Sequence, residues 1–313
     1  MTMTTGARKP VVAGFSQLRN ELSKGNLVSW MRCMQEVCDY VYIYDHASDD
    51  GSVEYYHEFD NAHVIASDVN RHAVEGSDLF GKKLLLEKLL AEHPEVDWIF
   101  WMDGDTMLDG RLLKDEGKLF SSLLMEGDKL GAECISLGHY NLWRSDTYYR
   151  IDSAFHRLHH FGVNTLWKNN GNLRFDDEGG LHQDQFPHGM VPFDRPSDTP
   201  VDSEDFSTLA WRGSINGFEP SLIHRGFATD EQILEKYFFY GSMGQEGWDL
   251  FRLVYEDELR VGQLFNDILP EWFVVNDPEN PINKKKLGEL NDLRMGATGV
   301  TPVKQPPLHG PES

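Results

Sequence analysis

The sequence predicts an α/β protein built on a doubly wound, mostly parallel sheet. Short segments rich in apolar, β-branched and aromatic residues, typical of buried strands, occur at 11–15, 40–44 and 97–102. Segments with helical spacing of apolar residues alternate with them. In such sheets the carboxyl ends of the strands lie at one edge, where ligands bind. Polar residues that follow the second and third of these strands are therefore predicted to meet at that edge.

The remaining elements follow from the same patterns. The predicted strands are 11–15, 40–44, 63–67, 97–102, 132–137 and 220–224, and the predicted helices are 18–37, 52–59, 79–90, 119–125, 230–240 and 248–264. Between them, residues 139–218 are rich in His, Asp, Gly and Pro, which favours irregular loops around a site. Residues 1–10 are expected to form a flexible leader and 294–313 a flexible tail, because both contain few residues to bury.

Composition excludes several classes of protein. The chain carries 51 acidic and 29 basic residues, a formal net charge of −22, which disfavours sequence-independent binding of nucleic acid. Three scattered cysteines, Cys33, Cys38 and Cys134, are too few for a disulfide framework and are expected to be buried thiols. The absence of a signal-like or membrane-spanning apolar run predicts a cytoplasmic protein without a transmembrane segment.

The segment Asp103-Gly-Asp105 is the main candidate for chemistry. It follows the most hydrophobic predicted strand, and two carboxylates separated by glycine can direct their oxygens toward one hard cation. An acidic surface turn is the alternative interpretation of such a triplet. The strand before it favours a site for a hard cation, with Asp103 and Asp105 as ligands.

A second polar cluster, Asp45 to Gly51, follows the strand at 40–44. Its carboxylates could accept hydrogen bonds from a ribose hydroxyl or a nucleobase, or they could cap the next helix. We expect Asp45 to face the base. Asp50 is the stronger candidate for the cap, and both roles are compatible.

These segments resemble the family-2-like GT-A glycosyltransferases. The resemblance rests on Arg19-Asn-Glu21, on Trp30, on 42–51 with Ser48-x-Asp50-Gly51, and on Trp101-Met-Asp-Gly-Asp105, and it covers residues 11–110 well. It implies a Rossmann-like GT-A fold, with a nucleotide-sugar half at 11–137 and an acceptor half at 138–293 in one compact domain. The implied nucleotide-binding residues are Asn20, Glu21, Asp45, Asp50 and Asp103, and the implied metal ion is Mn²⁺ or Mg²⁺.

The resemblance extends less specifically into the second half. It implies that a late histidine completes the metal shell, for which His224, at the end of a predicted strand, is the candidate. It also implies a carboxylate base directly after the residue matching His182, but Gln183 stands there. We therefore predict Asp184 as the catalytic base. The alternatives are carboxylates on a nearby loop, Asp202, Glu204 and Asp205.

Basic residues are scarce, so each is a possible contact for a diphosphate or an acceptor. The candidates are Arg71, Lys82, Lys83, Arg144, Arg150 and Arg225. Lys82 and Lys83 are instead predicted on a solvated helix face.

The predicted function is metal-dependent transfer of a sugar from a nucleotide-diphosphate sugar, with a UDP-sugar favoured, to a hydroxyl of a glycan, lipid-linked or other acceptor. Inversion at the anomeric carbon is implied by the resemblance alone. A nucleotidyltransferase or sugar-phosphate pyrophosphorylase is one alternative, although the chain lacks a glycine-rich loop after its first strand. The others are a non-catalytic nucleotide-sugar-binding scaffold and a transferase acting on modified DNA bases, which the negative charge disfavours.

Overall fold

The computed structural model describes residues 8–70, 77–151, 163–175, 187–190, 211–212, 221–233, 235–236 and 261–275. The helices are α1 (Leu27–Val37), α2 (Ser52–Tyr56), α3 (Ser77–Glu92) and α4 (Gly110–Leu130). The strands are β1 (Val12–Leu18), β2 (Tyr40–Asp45), β3 (Ala62–Ala66), β4 (Trp98–Trp101), β5 (Thr106–Leu108), β6 (Cys134–Leu137), β7 (His139–Asn141), β8 (Tyr148–Arg150), β9 (Val163–Lys168), β10 (Trp211–Arg212), β11 (Leu222–His224) and β12 (Val261–Gln263).

The central sheet has the order β10-β6-β9-β4-β1-β2-β3. Strands β3, β2, β1 and β4 are parallel neighbours, and β10 is parallel to β6. Strand β9 runs antiparallel between β4 and β6. The predicted α/β class with a largely parallel sheet is therefore confirmed.

Both faces of this sheet are buried, because its strands alternate between two apolar cores. On β4, Trp98 and Phe100 enter the core that contains α1 and α4. Ile99 and Trp101 enter the core that contains α3. Helices thus cover both faces, as the continuous apolar strands predict.

The main differences from the sequence prediction concern two helices and two strands. Helix α1 begins at Leu27 instead of Leu18, because Asn20 and Gly25 have positive φ and residues 19–26 form turns. Helix α4 is longer than predicted and is interrupted at 114–117, where Lys114 is extended and the next three residues are left-handed. Residues 261–263 form β12 instead of the end of a helix. Strand β9, within the stretch predicted to be irregular, completes the central sheet.

Three further points bear on the predictions. Cys33, Cys38 and Cys134 are all free and buried, as expected. Within the described ranges, no helix is both long enough and apolar enough to cross a membrane. The predicted tail at 294–313 and residues 1–7 of the predicted leader lie outside the described residues, as do 248–260 of the last predicted helix.

Candidate functional site

The candidate site lies at the carboxyl ends of β1, β2 and β4. The parallel register pairs Leu18 with Asp45 and Phe15 with Trp101, so the residues that follow these strands share one edge. The chain then turns through 103–105 into β5, and the backbone N–H of Thr106 donates to the carbonyl of Asp103 at 3.0 Å. The predicted convergence of polar segments at this edge is therefore realised.

A second, three-stranded sheet brings His224 to this turn. Strand β11 lies between β5 and β7, and its register places His224 opposite both Thr106 and Asn141. Nε2 of His224 lies 3.3 Å from Oδ2 of Asp105. The backbone N–H of Arg225 also donates to the carbonyl of Asp105 at 2.7 Å. Two residues 119 positions apart in the sequence thus form one pair.

Asn141 sets the orientation of the His224 ring. Its Oδ1 lies 2.8 Å from Nδ1 of His224. With that oxygen as the acceptor, Nδ1 carries the proton and Nε2 presents a lone pair toward Asp105. This is the tautomer that a metal ligand requires.

Asp103 lies beside this pair with its side chain exposed. The indole N–H of Trp101 donates to its Oδ1 at 3.0 Å. The pKa of Asp103 is raised, mainly because neighbouring protein groups remove water from its carboxylate. Repulsion by the carboxylate of Asp105 raises it further. The carboxylate is thus held at the rim of the site, where a ligand can reach it.

Lys236 supplies positive charge to the site, and the sequence analysis missed it. Its Nζ lies 2.8 Å from Oδ2 of Asp105 and 3.3 Å from Nε2 of His224. Desolvation alone would raise the pKa of Asp105, but the charge of Lys236 outweighs it and lowers this pKa well below its ordinary value. The available signal was its place in a predicted helix directly after the strand that ends at His224.

Lys82 corrects another expectation, since it does not lie on a solvated helix face. It is buried, and its Nζ lies 4.6 Å from the centroid of the Trp101 ring. Its charge acts to lower the pKa of Asp103, so the ammonium lies close enough to interact with this carboxylate. The signal was present in the sequence, because Lys82 follows Leu79 by three residues and precedes Leu86 by four, on the buried face of α3. Lys83, by contrast, is partly exposed.

Two glycines leave space for neighbouring side chains of the site. A Cβ at Gly104 would lie 2.7 Å from Cδ2 of Leu18 and 2.8 Å from Cγ of Glu21. A Cβ at Gly226 would collide with Oδ2 of Asp105. Glycine at both positions is therefore required by close packing and not by a positive φ.

Asn20 and Glu21 are engaged by neighbouring residues. Asn20 forms a reciprocal pair with Asp49, donating to its Oδ1 at 2.8 Å and accepting from its backbone N–H at 3.0 Å. Glu21 is buried and accepts from Lys24 at 2.9 Å and from Asn26 at 3.0 Å. Burial raises the pKa of Glu21, although Lys24 opposes the rise. Nucleotide binding by either residue stays a prediction.

Asp45 and Asp50 organise the loop between β2 and α2. Asp45 is buried and accepts from the backbone N–H of Ser48 at 2.7 Å and from its hydroxyl at 2.6 Å. Asp50 accepts from the N–H of Ser52, in the first turn of α2, at 3.0 Å and from the N–H of Ser23 at 2.7 Å. Gly51, and not Asp50 as predicted, is the N-cap residue of α2, although Asp50 accepts from the first N–H of this helix. Base recognition by Asp45 stays a prediction.

Two of the predicted arginine contacts have protein partners. Arg144 forms a bidentate pair with Asp230, with distances of 2.6 and 2.8 Å. Arg225 donates to Oδ1 of Asn26 at 3.2 Å. Arg150 is buried, with its guanidinium 4.4 Å from the centroid of the Trp143 ring, and Arg71 lies outside the described residues. Lys82 and Lys236 are two cations that interact with the carboxylates of the site.

The predicted base and its alternatives lie outside the described residues: Asp184, His182, Asp202, Glu204 and Asp205. The assignment of the base accordingly stays a prediction.

The residues of the site fit a divalent cation. Two adjacent ligands of an octahedral ion with bonds of about 2.1 Å are separated by about 3 Å. Oδ2 of Asp105 and Nε2 of His224 are 3.3 Å apart, and carboxylate with imidazole suits Mn²⁺. Asp103 lies beside this pair, but among the described residues it does not form with them a three-ligand group whose atoms all lie within 4.8 Å of one another.

The chain matches the model of a known protein family. Residues 39–146 match the model of the galactosyl transferase GMA12/MNN10 family. The match covers about a third of the chain, and this segment is similar to that family of glycosyltransferases. It contains Asp45, Asp50, Asp103 and Asp105, whereas His224 and Lys236 lie beyond it. At this coarse level the prediction of a glycosyltransferase is confirmed. The matched family has a different description from the family-2-like enzymes, so the resemblance to those enzymes stays a prediction.

The comparison of structures finds a similar crystal structure of a glycosyltransferase involved in the glycosylation of the major capsid of PBCV-1. The two share 12% sequence identity with a TM-score of 0.23, and the likeness covers 41% of this chain and 52% of the other. It thus spans about half the length of that protein and carries no weight for activity. A search of curated protein sequences found no match.

Proposed function

We propose that the protein transfers a sugar from a nucleotide-diphosphate sugar to an acceptor hydroxyl, with Asp103, Asp105 and His224 holding Mn²⁺ or Mg²⁺. The observation that carries this proposal is the 3.3 Å distance between Asp105 and His224 at the carboxyl edge of the sheet. Asp105 belongs to the segment that matches the galactosyl transferase family, and His224 lies beyond that segment in the sequence. A bound divalent cation would neutralise the charge that builds on the departing nucleoside diphosphate.

The side chains around the pair suit this chemistry. Lys82 and Lys236 place two ammonium groups beside the carboxylates, where they can bind diphosphate oxygens. Asn141 keeps His224 in the ligand tautomer, and the indole of Trp101 orients Asp103. These contacts exist before any ligand arrives, so little reorganisation is needed on binding.

The donor and the acceptor follow less directly. The family description names galactosyl transferases, so a UDP-hexose, with galactose first, is the donor to test. The acceptor remains a glycan, lipid-linked or other hydroxyl. Inversion at the anomeric carbon and the role of Asp184 as the catalytic base are both proposed from the resemblance to the family-2-like enzymes. Proton NMR of the first-formed anomer and an Asp184→Asn variant would test these two proposals.

The first experiment is calorimetric titration with UDP, GDP, CDP and dTDP, with Mn²⁺ or with a chelator. Metal-dependent binding of one nucleotide should be lost in Asp105→Ala. It should persist in Asp60→Ala, an exposed carboxylate that precedes β3 at the opposite edge of the sheet. Metal-independent binding, or equal binding by Asp105→Ala, would contradict the metal assignment. No binding of any nucleotide would contradict the donor class.

Turnover must be measured separately from binding. Release of free sugar from UDP-sugars can be followed without knowing the acceptor, because many sites of this kind transfer slowly to water. Binding without release or transfer to any acceptor would instead support a non-catalytic nucleotide-sugar-binding protein.

A further inference from the structure

A second cluster of metal-binding side chains lies at the opposite edge of the central sheet. His63 on β3 and Glu92 and His93 at the end of α3 each direct one ligand atom into a group whose atoms all lie within 4.8 Å of one another. His63 is in register with Tyr42, near the amino end of β2, whereas Asp45 ends that strand. Along the strand direction, His63 therefore lies three residues, or about 10 Å, from the level of Asp45.

The distances in the cluster match a tetrahedral ion. Nδ1 of His63 lies 3.4 Å from Oε2 of Glu92. Two ligands of tetrahedral Zn²⁺ with bonds of about 2.0–2.1 Å are separated by about 3.4 Å. The imidazole centroids of His63 and His93 are 5.3 Å apart, and two rings bound to one such ion would be separated by about 5 Å.

Each ligand is held in place by a neighbouring side chain. The ring of Tyr42 stacks on His63 at 4.5 Å, and that of Tyr40 stacks on His93 at 3.6 Å. The hydroxyl of Tyr42 also donates to Oε2 of Glu92 at 2.7 Å. Stacking and hydrogen bonds of this kind fix ligand geometry before a metal binds.

Protonation also favours metal binding. Nδ1 of His93 lies 3.1 Å from Oε1 of Glu95, and as a donor it leaves Nε2 with the lone pair, in the carboxylate–histidine arrangement common in zinc sites. Lys88 binds the other oxygen of Glu92 at 2.6 Å and leaves Oε2 directed to the histidines.

We propose that His63, Glu92 and His93 form a site for a Zn²⁺-like transition metal that joins strand β3 to the end of α3. Strand β3 is the outermost strand at this side of the described sheet. An ion there would tie an edge strand to the helix that packs on the same sheet. The fourth position of the ion would remain open to water.

The test is calorimetric titration of the full chain with Zn²⁺, in the wild type and in Asp105→Asn, which removes the other candidate site. One equivalent should bind in Asp105→Asn. Adding His63→Gln or His93→Gln to it should weaken this equivalent by at least about tenfold. Adding His57→Gln, an exposed histidine after α2, should not. Co²⁺ in place of Zn²⁺ should show the visible absorption of a tetrahedral site.

Stability supplies an independent measurement. Zn²⁺ should raise the melting temperature of Asp105→Asn and of its His57→Gln derivative, but not that of its His63→Gln derivative. In the presence of a chelator the variants should have the same melting temperature, which would show that the substitutions leave the fold intact. Zn²⁺ affinity unchanged by both His63→Gln and His93→Gln would overturn the proposal, as would the absence of a bound equivalent in Asp105→Asn.

Discussion

Nζ of Lys236 lies 2.8 Å from Oδ2 of Asp105, and it also lies 3.3 Å from Nε2 of His224. The ammonium thus contacts the same two ligand atoms that the proposed function assigns to a divalent cation. A lysine in this position both repels a metal ion and attracts a diphosphate. It therefore couples the binding of the two ligands.

Replacing Lys236 should separate these effects. In Lys236→Met the repulsion is removed, so Mn²⁺ should bind the nucleotide-free protein more tightly, by about 1 kcal/mol or roughly fivefold. Binding of the nucleoside diphosphate should become weaker. Lys129→Met, which changes an exposed lysine at the end of α4, serves as the control. Unchanged or weaker Mn²⁺ binding in Lys236→Met would rule out this role.

Lys82 and Lys83 form a matched pair for a second prediction. Lys82 is buried against Trp101 and interacts with Asp103, while its neighbour is partly exposed. Lys82→Met should weaken nucleoside-diphosphate binding in the presence of Mn²⁺ by roughly tenfold, because a charge-assisted contact contributes about 1.5–3 kcal/mol. Calorimetry should find Lys83→Met close to the wild type. Equal affinities for both variants would show that Lys82 is only a packing residue.

The contact of Asn141 with His224 yields a third prediction. Asn141→Ala removes the acceptor of the Nδ1 proton and leaves the ring free to rotate or change tautomer. Affinity for Mn²⁺ should fall by about 10- to 100-fold, the usual effect of losing such a partner. Asn172→Ala, at an exposed position, should have no effect. Electron paramagnetic resonance of free Mn²⁺ would measure both, and equal affinities would exclude the proposed support of His224.

Much of the fold was predictable because strand signals are local. The side chains of β1, β2 and β4 alternate between two apolar cores. Their continuously apolar sequences therefore predict burial on both faces of the sheet. The same holds for the turn at Asp103 and Asp105, since it directly follows β4. Strand β9 was missed because its sequence lies in a polar stretch, and its place depends on pairing with β4 and β6.

The site was predictable only in part, for the same reason. His224 ends a recognisable apolar strand, whereas Lys236 reaches Asp105 only through tertiary packing. Lys82 was assigned to solvent because charged residues are seldom buried, although its spacing from Leu79 placed it on the buried face of α3. Residue type alone predicts that Lys82 is exposed, whereas the helical periodicity of α3 predicts that it is buried.

A fourth prediction concerns Asp50, which connects two loops beside the site. Its carboxylate accepts from the backbone N–H groups of Ser23 and Ser52. Partial burial would raise its pKa, but the hydrogen bonds from Ser52 and Ser23 prevail and lower it. Asp50→Asn should therefore reduce the free energy of unfolding by about 1 kcal/mol at pH 7.

The pH dependence of this difference follows from the sign of the shift. A carboxylate with a depressed pKa in the folded state stabilises the protein above its unfolded pKa, about 3.9, and loses this contribution as the pH falls through the folded value. The difference between wild type and Asp50→Asn should thus be constant above about pH 5 and shrink below pH 4. Urea denaturation at several pH values measures it, with Asp60→Asn as the exposed control. A difference that stays constant down to pH 3 would show that the carboxylate charge contributes nothing to the capping contact.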